Sequence, residues 1–385
     1  MALQKRTMKI DLQQIKVWVL APELITHDEN IDYYCDYSQS IEEYTRTFDE
    51  LHIEWQWQPV NINDYKTVID SIAEESKSST KKTVVFNLCD GDEVNGTPGV
   101  SVIHYLEEKK LPYTGSDPFF YKITTSKIPM KHAFDQHGVA TPLWQAIDSK
   151  EQNLDAVFNH LGTPVIVKPS VSGGSMGVSI KNVVKAPKEL REQVNKMFDG
   201  YRGWQLTADG IIAESFIDGP EFTVMIVGDY DKPSEAIIYT PVERVFHESL
   251  PDTEKFLSFD RLWEIYEDET PMPNEENFYD YAVPDISLHQ QLKQISWDAY
   301  VACNGKGYTR VDIRMDKVTG KLYVLEVNAQ CGLSEDENYT SIGAILKYSH
   351  KTFAELVSTI LHNTLSNEME VEKSMAISKR KKHAA

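Results

Sequence analysis

The segment 308–334, YTRVDIRMDKVTGKLYVLEVNAQCGLS, constrains the fold more than any other part of the chain. It predicts two strands joined by a turn, since residues 316–320 have turn-forming side chains. Side chains alternate between the two faces of a strand, so Arg310, Asp312 and Arg314 share one face of the first strand. All three side chains on this face are charged.

The second predicted strand carries Glu326 and Asn328 on one face. A register that pairs Asp312 with Glu326 places Arg310 opposite Asn328. Three oxygen donors on adjacent strands form a site of the Mg²⁺ type, which leaves coordination positions for waters and substrate phosphates, and an arginine beside it can hold an oxyanion. The alternative is a polar hairpin face with cross-strand ion pairs, and the hairpin alone does not decide between the two.

Length and net charge limit the classes of protein to which this chain can belong. A chain of 385 residues exceeds the usual size of one core, so two or three lobes are expected. The net charge of -20 disfavours a nucleic acid or an anionic membrane as partner, since phosphates are repelled, although a nucleotide needs only a local basic pocket. No apolar run reaches the ~18 residues of a spanning helix, and the start has no signal-peptide pattern.

The cysteines are widely spread and show no C-x-x-C spacing: Cys35, Cys89, Cys303 and Cys331. This pattern favours free thiols in a reducing, cytoplasmic compartment over a disulfide framework or a zinc site. Cys331 lies next to the predicted hairpin and could be a nucleophile, but no histidine is marked as its base. We therefore favour the interpretation that it is a small residue filling a tight loop.

The first third of the chain alternates buried strands with helices. Apolar runs at 16–20 and 83–88 predict strands, and helical spacing covers 38–51 and 100–110. This βαβ pattern predicts a parallel sheet whose strand ends carry the site. The loop CDGDEVNGTPG, 89–99, follows the second strand, and its acids either line a pocket or form a solvated turn, of which the loop alone favours the turn.

A second unit begins near Thr125. The predicted elements are a helix at 127–137, strands at 165–168, 178–181, 211–216, 222–227 and 235–240, and a helix at 288–303. The long segment 243–283 has no strong periodicity, which indicates a lid or a binding loop. After Asn363 the polar chain and its basic end, SKRKKHAA, predict a frayed tail rather than a targeting signal.

A strand that ends in Lys168 leads into the loop PSVSGGSMG, 169–177. Glycines let backbone N–H groups approach phosphate oxygens, serines add hydroxyl donors, and the lysine supplies a point charge. The spacing matches neither G-x-x-x-x-G-K-[ST] nor G-x-G-x-x-G, so both commoner nucleotide fingerprints are excluded. Taken alone, such a loop carries little weight, since most Gly/Ser loops are ordinary turns.

The order of these motifs resembles the ATP-grasp superfamily, and specifically the D-alanine–D-alanine ligase family. The resemblance extends from about Val84 to Leu346 and is strongest in VIVKPS, IDGPEFTV and YTRVDIRM…LEVN. It implies an α/β ATP-grasp fold of three lobes, in which an N-terminal parallel-sheet domain precedes two subdomains that sandwich ATP. The implied domains are residues 1–124, 125–212 and 213–365, followed by a polar and basic tail at 366–385.

Carried over by position, the resemblance implies a role for each motif. The residues expected to hold the phosphates of ATP are Lys127, Lys168, Ser172, Gly173, Gly174, Ser175 and Met176. Those expected to meet adenine and ribose are Glu214, Phe216, Ile217 and Glu221. The expected ligands of two Mg²⁺ ions, for which Mn²⁺ could substitute, are Asp312, Glu326 and Asn328. The oxyanion of a tetrahedral intermediate is expected to meet Arg310 and the backbone of Gly332, and the candidates for substrate contact are Asp90, Ser334 and Glu337.

The chain also departs from the family pattern. The Gly-rich loop that carries a glutamate for the first amino group has no counterpart in LAPELITHDENIDYYCDYS, 20–38. Cys89-Asp90-Gly91 stands where H-G is usual, Gly174 where serine is common, and Cys331 where proline is usual. Glu337 aligns with the serine that serves the acceptor carboxylate, and an anion there would repel a D-amino-acid carboxylate. The family's catalytic tyrosine has no assigned counterpart.

The resemblance implies an ATP-dependent carboxylate–amine ligase that forms an amide or peptide bond through an acyl phosphate and releases ADP and phosphate. Glu337 and the altered N-terminal loop favour an acceptor other than D-alanine. The alternatives are a true D-alanine–D-alanine ligase of cell-wall synthesis and a catalytically silent ATP-binding regulatory module. The expected partners are small-molecule carboxylate and amine substrates, with neither nucleic acid nor membrane, and a homodimer is one option for assembly.

Overall fold

Three β-sheets organise the part of the chain that the structure describes. The computed structural model describes residues 10–24, 37–266 and 269–383, without the side chains of 275, 371, 372 and 374–383. Cys35 and most of the 20–38 segment that was compared with the family's Gly-rich loop lie outside these residues. Within them, the helices are all too short or too polar to cross a membrane.

The first sheet is parallel and has the order β2-β1-β3, with β1 at Ile15–Pro22, β2 at Glu54–Val60 and β3 at Lys82–Asn87. Helices α1 (Ser38–Glu50), α2 (Tyr65–Ser78) and α3 (Val100–Lys109) alternate with these strands or follow them. The predicted parallel sheet and both predicted strands are confirmed. The edge strand β2 was missed because its sequence, EWQWQPV, has one buried residue instead of a continuous apolar run.

The second sheet is antiparallel and follows the helices α4 (Pro118–Thr125) and α5 (Lys127–His137). Its order is β4-β7-β5-β6, with strands β4 (Trp144–Ile147), β5 (Val165–Pro169), β6 (Val183–Val184) and β7 (Ile211–Ser215) and helices α6 (Val157–Leu161) and α7 (Pro187–Asp199) between them. The domain boundary drawn at residue 212 falls inside β7, which pairs with its neighbours over its full length. We therefore propose that the boundary follows Ser215.

The strand predicted at 178–181 is wrong, because a 3-10 turn at Ile180–Asn182 takes its place. The Asn182 side chain explains this turn. Its amide N–H donates to the carbonyl of Val167 over 2.7 Å, and its carbonyl accepts from the N–H of Ser179 over 2.9 Å. An asparagine that bonds to nearby backbone groups in this way competes with strand pairing.

The third sheet is antiparallel in the order β11-β10-β8-β12-β13, and β9 pairs with β8. Its strands are β8 (Glu221–Val227), β9 (Ile237–Ile238), β10 (Val242–Phe246), β11 (Tyr279–Ala282), β12 (Tyr308–Met315) and β13 (Leu322–Ala329), with helices α8 (Phe259–Trp263) and α9 (Ile286–Ala302) between them. The predicted β12–β13 hairpin is confirmed, with a bulge between Asp312 and Ile313. The long segment 243–283 contains part of β10, then α8 and β11, so it is folded rather than irregular throughout.

The described residues end in α10 (Ser341–Ser349) and α11 (Phe353–His383), so the frayed tail predicted after Asn363 is wrong as to its secondary structure as far as His383. The first half of α11 explains why the helix forms. Its apolar side chains recur every three or four residues and pack into the core formed with α1, β3 and β8: Leu356, Val357, Ile360, Leu361 and Leu365. This shared core holds the first sheet against the third.

Candidate active site

The β12–β13 hairpin brings the predicted metal ligands together. In its register Asp312 faces Glu326 and Arg310 faces Asn328, as expected from the sequence. One oxygen of Asp312 accepts from Asn328 over 3.0 Å and from Arg310 over 3.0 Å. Its other oxygen accepts from Thr223 of β8 over 2.9 Å. The Asp312 carboxylate is therefore fixed in position directly opposite Glu326.

The two facing carboxylates have pKa values shifted in opposite directions. Burial raises the pKa of Asp312 above its ordinary value, and Glu326 adds to this shift while Arg310 opposes it. Burial acts in the same direction on Glu326, but the positive charges of Lys127, Lys168 and Arg310 outweigh it and lower the pKa of Glu326. Two carboxylates that repel each other in this way gain from a cation placed between them.

The donor set suits a hard cation that takes further ligands from elsewhere. Within the described ranges, no group of three His, Cys, Asp or Glu side chains is arranged to hold a metal on its own. Asp312, Glu326 and the amide oxygen of Asn328 supply three oxygen donors. Because Mg²⁺ usually completes its octahedron with waters and phosphate oxygens, these residues fit a magnesium ion held jointly with a phosphorylated substrate.

Three lysines surround the acids of this site. Lys127, the first residue of α5, lies 3.4 Å from Glu326, and Lys168 at the end of β5 forms an ion pair with Glu214. The third is Lys131, one helical turn after Lys127, whose buried ammonium lies 2.6 Å from Glu214. Lys131 was missed in the sequence, although its i,i+4 spacing from Lys127 places both on one face of the helix.

Glu214 is a carboxylate almost without access to solvent, with 1% of its surface exposed. Burial alone would raise its pKa, but the ammonium groups of Lys131 and Lys168 lower the pKa of Glu214 to about 2. Burial lowers the pKa of Lys131, and Glu214 offsets part of that shift. With both lysines protonated, two ammonium groups surround one carboxylate, so this cluster has a net positive charge that suits a phosphate group.

Glu221, the predicted ribose ligand, is engaged by two arginines that the sequence analysis did not assign. Arg244 of β10 forms an ion pair with it, and Arg314 of β12 donates to it over 3.3 Å. Arg314 also donates to the carbonyl of Ile217 over 2.9 Å and lies 5.1 Å from the centre of the Phe216 ring. The signal for Arg314 was present, since strand alternation places it on the face that carries Asp312.

The loop after β5 turns through positive φ at Gly174, Ser175 and Gly177. At Gly174, with φ of 53°, a Cβ would come within 2.8 Å of the Trp263 ring, which explains glycine where the family commonly has serine. The remaining loop residues assigned to ATP keep some or all of their access to solvent: Ser172, Gly173 and Met176. The loop is therefore open to a ligand on one side and covered by Trp263 on the other.

A buried carboxylate on α1 faces the segment that follows β13. Glu43 is 1% exposed, and one of its oxygens accepts from Ser334 over 2.8 Å and from Gln39 over 2.9 Å. Its other oxygen has no hydrogen-bond partner among the described residues. Glu43 was missed because the search for an N-terminal glutamate ended at residue 38. A signal existed in α1, where Glu43 lies on the same face as the apolar Tyr44 and Phe48.

Glu337, another candidate for substrate contact, forms an exposed ion pair with a lysine. Its carboxylate accepts from Lys347 of α10 over 2.8 Å, and about half of the side chain is exposed, at 48%. Asp336 accepts from the N–H of Asn338 and of Tyr339, and this turn leaves Glu337 on the solvent side. Because Lys347 compensates its charge, the structure gives no support to Glu337 as the residue that repels an acceptor carboxylate.

Asp90 and the turn after β13 lie near one another. The Asp90 side chain is exposed at the loop surface, and the groups around its carboxylate reduce its hydration and raise the pKa of Asp90 to about 6. Burial raises the pKa of Cys331 to about 12, which agrees with a space-filling thiol and disfavours a nucleophile. The charge of Arg310 lowers the pKa of the Cys331 thiol and that of Asp90 raises it, so both groups lie near the thiol. A Cβ at the exposed Gly332 would meet no atom within 4 Å. The backbone of Gly332 therefore borders open space close to Arg310.

Comparison with known proteins agrees with this geometry. The profile of the family described as D-ala D-ala ligase C-terminus matches residues 134–362, which is more than half of the chain. The chain belongs to the D-alanine–D-alanine ligase family. The part of the chain that matches this family includes β5, β7 and the whole β12–β13 hairpin, whereas Glu43 and Lys127 precede it.

Individual members of the D-alanine–D-alanine ligase family cover most of the chain. It is 27% identical over 285 residues to the D-alanine–D-alanine ligase of Xanthomonas axonopodis pv. citri, which covers 73% of this chain and 78% of that protein. It is 30% identical over 229 residues to the ligase of Cupriavidus metallidurans, with 60% and 61% covered.

Solved structures of D-alanine–D-alanine ligases have the same fold. The ligase from Bacillus anthracis complexed with ATP superimposes with a TM-score of 0.63 at 18% identity, covering 92% of this chain and 99% of that one. The ligase from Coxiella burnetii gives a TM-score of 0.63 at 16% identity, covering 95% and 99%. The predicted α/β ATP-grasp fold is confirmed.

Proposed function

We propose that this protein is an ATP-dependent ligase that joins a carboxylate to an amine and releases ADP and phosphate. The observation that carries the proposal is the hairpin cluster, in which Asp312 and Glu326 face each other while Lys127 and Lys168 supply positive charge beside them. Membership of the D-alanine–D-alanine ligase family supports the reaction class. The relative from Bacillus anthracis that is complexed with ATP supports the choice of nucleotide.

In this proposal the nucleotide lies between the second and third sheets. Lys127 and Lys168 bind its phosphates, and the loop 172–177 closes over them with its backbone N–H groups. The base meets the end of β7 at Phe216 and Ile217, and Glu221 accepts from the ribose hydroxyls. Since Glu221 already has two arginine partners, the ribose must share this carboxylate with Arg244 or Arg314.

Asp312, Glu326 and Asn328 are the residues that would hold magnesium, and two ions are proposed. Bound there, the ions would neutralise charge on the phosphates during transfer. Manganese has the same preference for oxygen donors and could substitute. The side chains of Lys127 and Arg310 add positive charge beside the same acids.

The chemistry then needs positioning and charge rather than a covalent enzyme intermediate. The carboxylate of the first substrate attacks the terminal phosphate of ATP, which gives an acyl phosphate and ADP. The amine of the second substrate attacks the acyl carbon, and phosphate leaves. Arg310 and the backbone N–H of Gly332 would stabilise the oxyanion that forms at this carbon. Gly332 borders open space, and the charge of Arg310 acts on the neighbouring Cys331.

Glu43 supplies a site for the ammonium group of an amino-acid substrate. A buried carboxylate oxygen without a partner is costly, and a cationic N–H donor would satisfy it. Ser334, which donates to the other oxygen, holds Glu43 in this orientation. Glu43 would thus take the role that the family gives to an N-terminal glutamate.

The acceptor is proposed to be a second amino acid, with D-alanine as the first candidate. Two features favoured a different acceptor, the altered N-terminal loop and the charge of Glu337. Most of that loop lies outside the described residues, and Lys347 compensates the charge of Glu337. Asp90 stands where the family usually has histidine. Near the proposed acyl site, this chain therefore carries an acid where the family has a base. Its anionic form would favour an acceptor that carries a hydrogen-bond donor or a cation.

The test is a screen for substrate-dependent ADP formation. The purified protein with ATP and Mg²⁺ is incubated with single amino acids and pairs, including D-alanine, and ADP and the amide product are measured by mass spectrometry. The proposal expects ADP formation that requires the amino acid and one amide bond for each ADP. ATP binding without ADP formation under any of these conditions would instead favour a silent regulatory module.

A further inference from the structure

The segment between β10 and β11 packs against the residues proposed to bind the nucleotide. We define the clamp segment as residues 252–263, which contain a 3-10 turn at Asp252–Glu254 and the helix α8. No role has been assigned to its side chains so far. Its contacts extend in two directions, toward the glycine-rich loop after β5 and toward the end of β7.

Three hydrogen bonds join the clamp segment to the glycine-rich loop. The hydroxyl of Ser175 donates to the carbonyl of Leu257 over 2.8 Å, and the N–H of Phe259 donates to the carbonyl of Val178 over 2.8 Å. The indole N–H of Trp263 donates to the carbonyl of Gly174 over 2.8 Å. The three bonds therefore tie the second half of the loop and Val178, which directly follows it, to the clamp segment.

The clamp segment also reaches the strand proposed to meet the base. The ring of Phe256 lies 6.2 Å from the ring of Phe216, with the two rings at 69°. Phe256 shares a buried apolar cluster with Phe216, with Val178 and with Ile166, which lies two residues before Lys168 on β5. The carbonyl of Lys255 accepts from Arg314, so the backbone beside Phe256 is bonded to β12 as well.

A buried arginine fixes the backbone conformation around Phe256. The side chain of Arg261 is 3% exposed and forms an ion pair with Glu269 over 2.7 Å. The same guanidinium donates to the carbonyls of Glu254 and Phe256. Phe256 is therefore held at its backbone by Arg261 and at its ring by the apolar cluster, and it is part of a defined structure.

We propose that Phe256 is a nucleobase-contacting residue, and that the clamp segment forms an outer wall of the nucleotide site. This inference rests on the proposed function. The base of a nucleotide seeks an apolar surface, and Phe256 adds an aromatic ring to the only such cluster that the described residues place between the glycine-rich loop and the end of β7. Phosphate recognition, by contrast, belongs to the lysines and the loop, and does not involve this ring.

The test distinguishes binding of the base from binding of the phosphates. Binding of ATP and of inorganic tripolyphosphate, each with Mg²⁺ and without any amino acid, is measured by calorimetry for the wild type, Phe256→Ala and Phe256→Leu. Phe256→Ala is expected to bind ATP about tenfold more weakly, from the loss of aromatic contact, and to bind tripolyphosphate like the wild type. Phe256→Leu should lose less, since it keeps apolar contact, and it decides the test if the alanine variant does not fold.

Two controls show whether the effect belongs to Phe256. Phe158→Ala removes a partly buried ring from α6, in a separate apolar cluster, and should leave the affinity for both ligands unchanged. Trp263→Phe keeps a ring but loses the N–H donor to Gly174. It should weaken the binding of ATP and of tripolyphosphate alike, by about threefold, because it acts through the loop.

Three outcomes would overturn the inference. Unchanged ATP affinity in Phe256→Ala would mean that the ring does not meet the base. Tighter ATP binding would mean that Phe256 occupies the site of the base, and equal losses for ATP and tripolyphosphate would mean that it only supports the loop. A wild type that binds no ATP would instead overturn the proposed function itself, so the two failures are distinguishable.

Discussion

The ammonium group of Lys131 lies 2.6 Å from a carboxylate oxygen of Glu214, and both side chains are almost fully removed from water. Burying two charges costs several kcal/mol for each ion, and the attraction between them offsets this cost only while both are present. Lys168 forms a second ion pair with the same carboxylate from the edge of the proposed ATP site. Glu214 therefore links the stability of the second sheet to the position of a proposed phosphate-binding lysine.

Glu214→Gln should lower the free energy of unfolding by about 3–5 kcal/mol, because it leaves Lys131 as an uncompensated buried charge. Urea unfolding at neutral pH measures this loss. Lys351→Gln serves as a control, since its pair with Glu355 is about half exposed, with both side chains at 48%, and its removal should cost less than about 1 kcal/mol. Equal small losses in the two variants would contradict the account of Glu214.

The contribution of Glu214 to the free energy of unfolding should also disappear in acid. Its pKa is about 2 in the folded protein, below an unfolded value of ~4.3, so the unfolded chain binds the proton first as the pH falls. The stability from this group is therefore fully present above about pH 5 and is lost between about pH 4.5 and pH 2. We expect the difference in unfolding free energy between wild type and Glu214→Gln to narrow from pH 6 to pH 3. A difference that stays constant over this range would argue against a depressed pKa.

Glu326→Gln should abolish product formation while the protein remains folded. The change removes one of the two facing carboxylates and thereby weakens the proposed magnesium site, which leaves phosphate charge uncompensated. Turnover and circular dichroism are measured on the same samples. The matched control is Asp316→Asn, a carboxylate-to-amide change in the turn of the same hairpin, which should retain activity. Turnover of Glu326→Gln within about threefold of wild type would refute the metal assignment.

Much of this site could be predicted because its residues lie on regular strands. The alternation of side chains in β12 and β13 is enough to place Asp312 opposite Glu326, and the hairpin turn sets the register. In the same way the apolar run before Lys168 predicts a strand that ends at the site. In these elements the local pattern and the tertiary structure agree.

The residues that were missed depend on contacts between distant parts of the chain. The contact between Glu43 and Ser334 forms only when α1 packs against a segment 291 positions later in the chain. Lys131 lies on an otherwise packed helix, and the acid that compensates its charge, Glu214, comes from β7. Glu337 was assigned by alignment, and only the neighbouring helix, through Lys347, reveals that its charge is compensated.

Glu43 and Glu337 should therefore behave oppositely when they are changed. Glu43→Gln removes the charge proposed to bind a substrate ammonium group and should raise the KM for the amino acid by about tenfold or more, with the KM for ATP unchanged. Glu337→Ser should leave both constants within about twofold, because it removes a solvent-exposed ion pair. Steady-state kinetics with each substrate varied in turn provides the comparison. A large effect of Glu337→Ser with none from Glu43→Gln would reverse our assignment of the substrate site.

The transfer of oxygen from the substrate carboxylate to phosphate tests the central claim most directly. The amino acid that supports ADP formation is labelled with ¹⁸O in its carboxylate, and the released phosphate is analysed by mass spectrometry. An acyl phosphate intermediate predicts that each phosphate released with an amide bond carries one labelled oxygen. Unlabelled phosphate, formed in step with ADP and the amide, would contradict activation of the carboxylate by ATP.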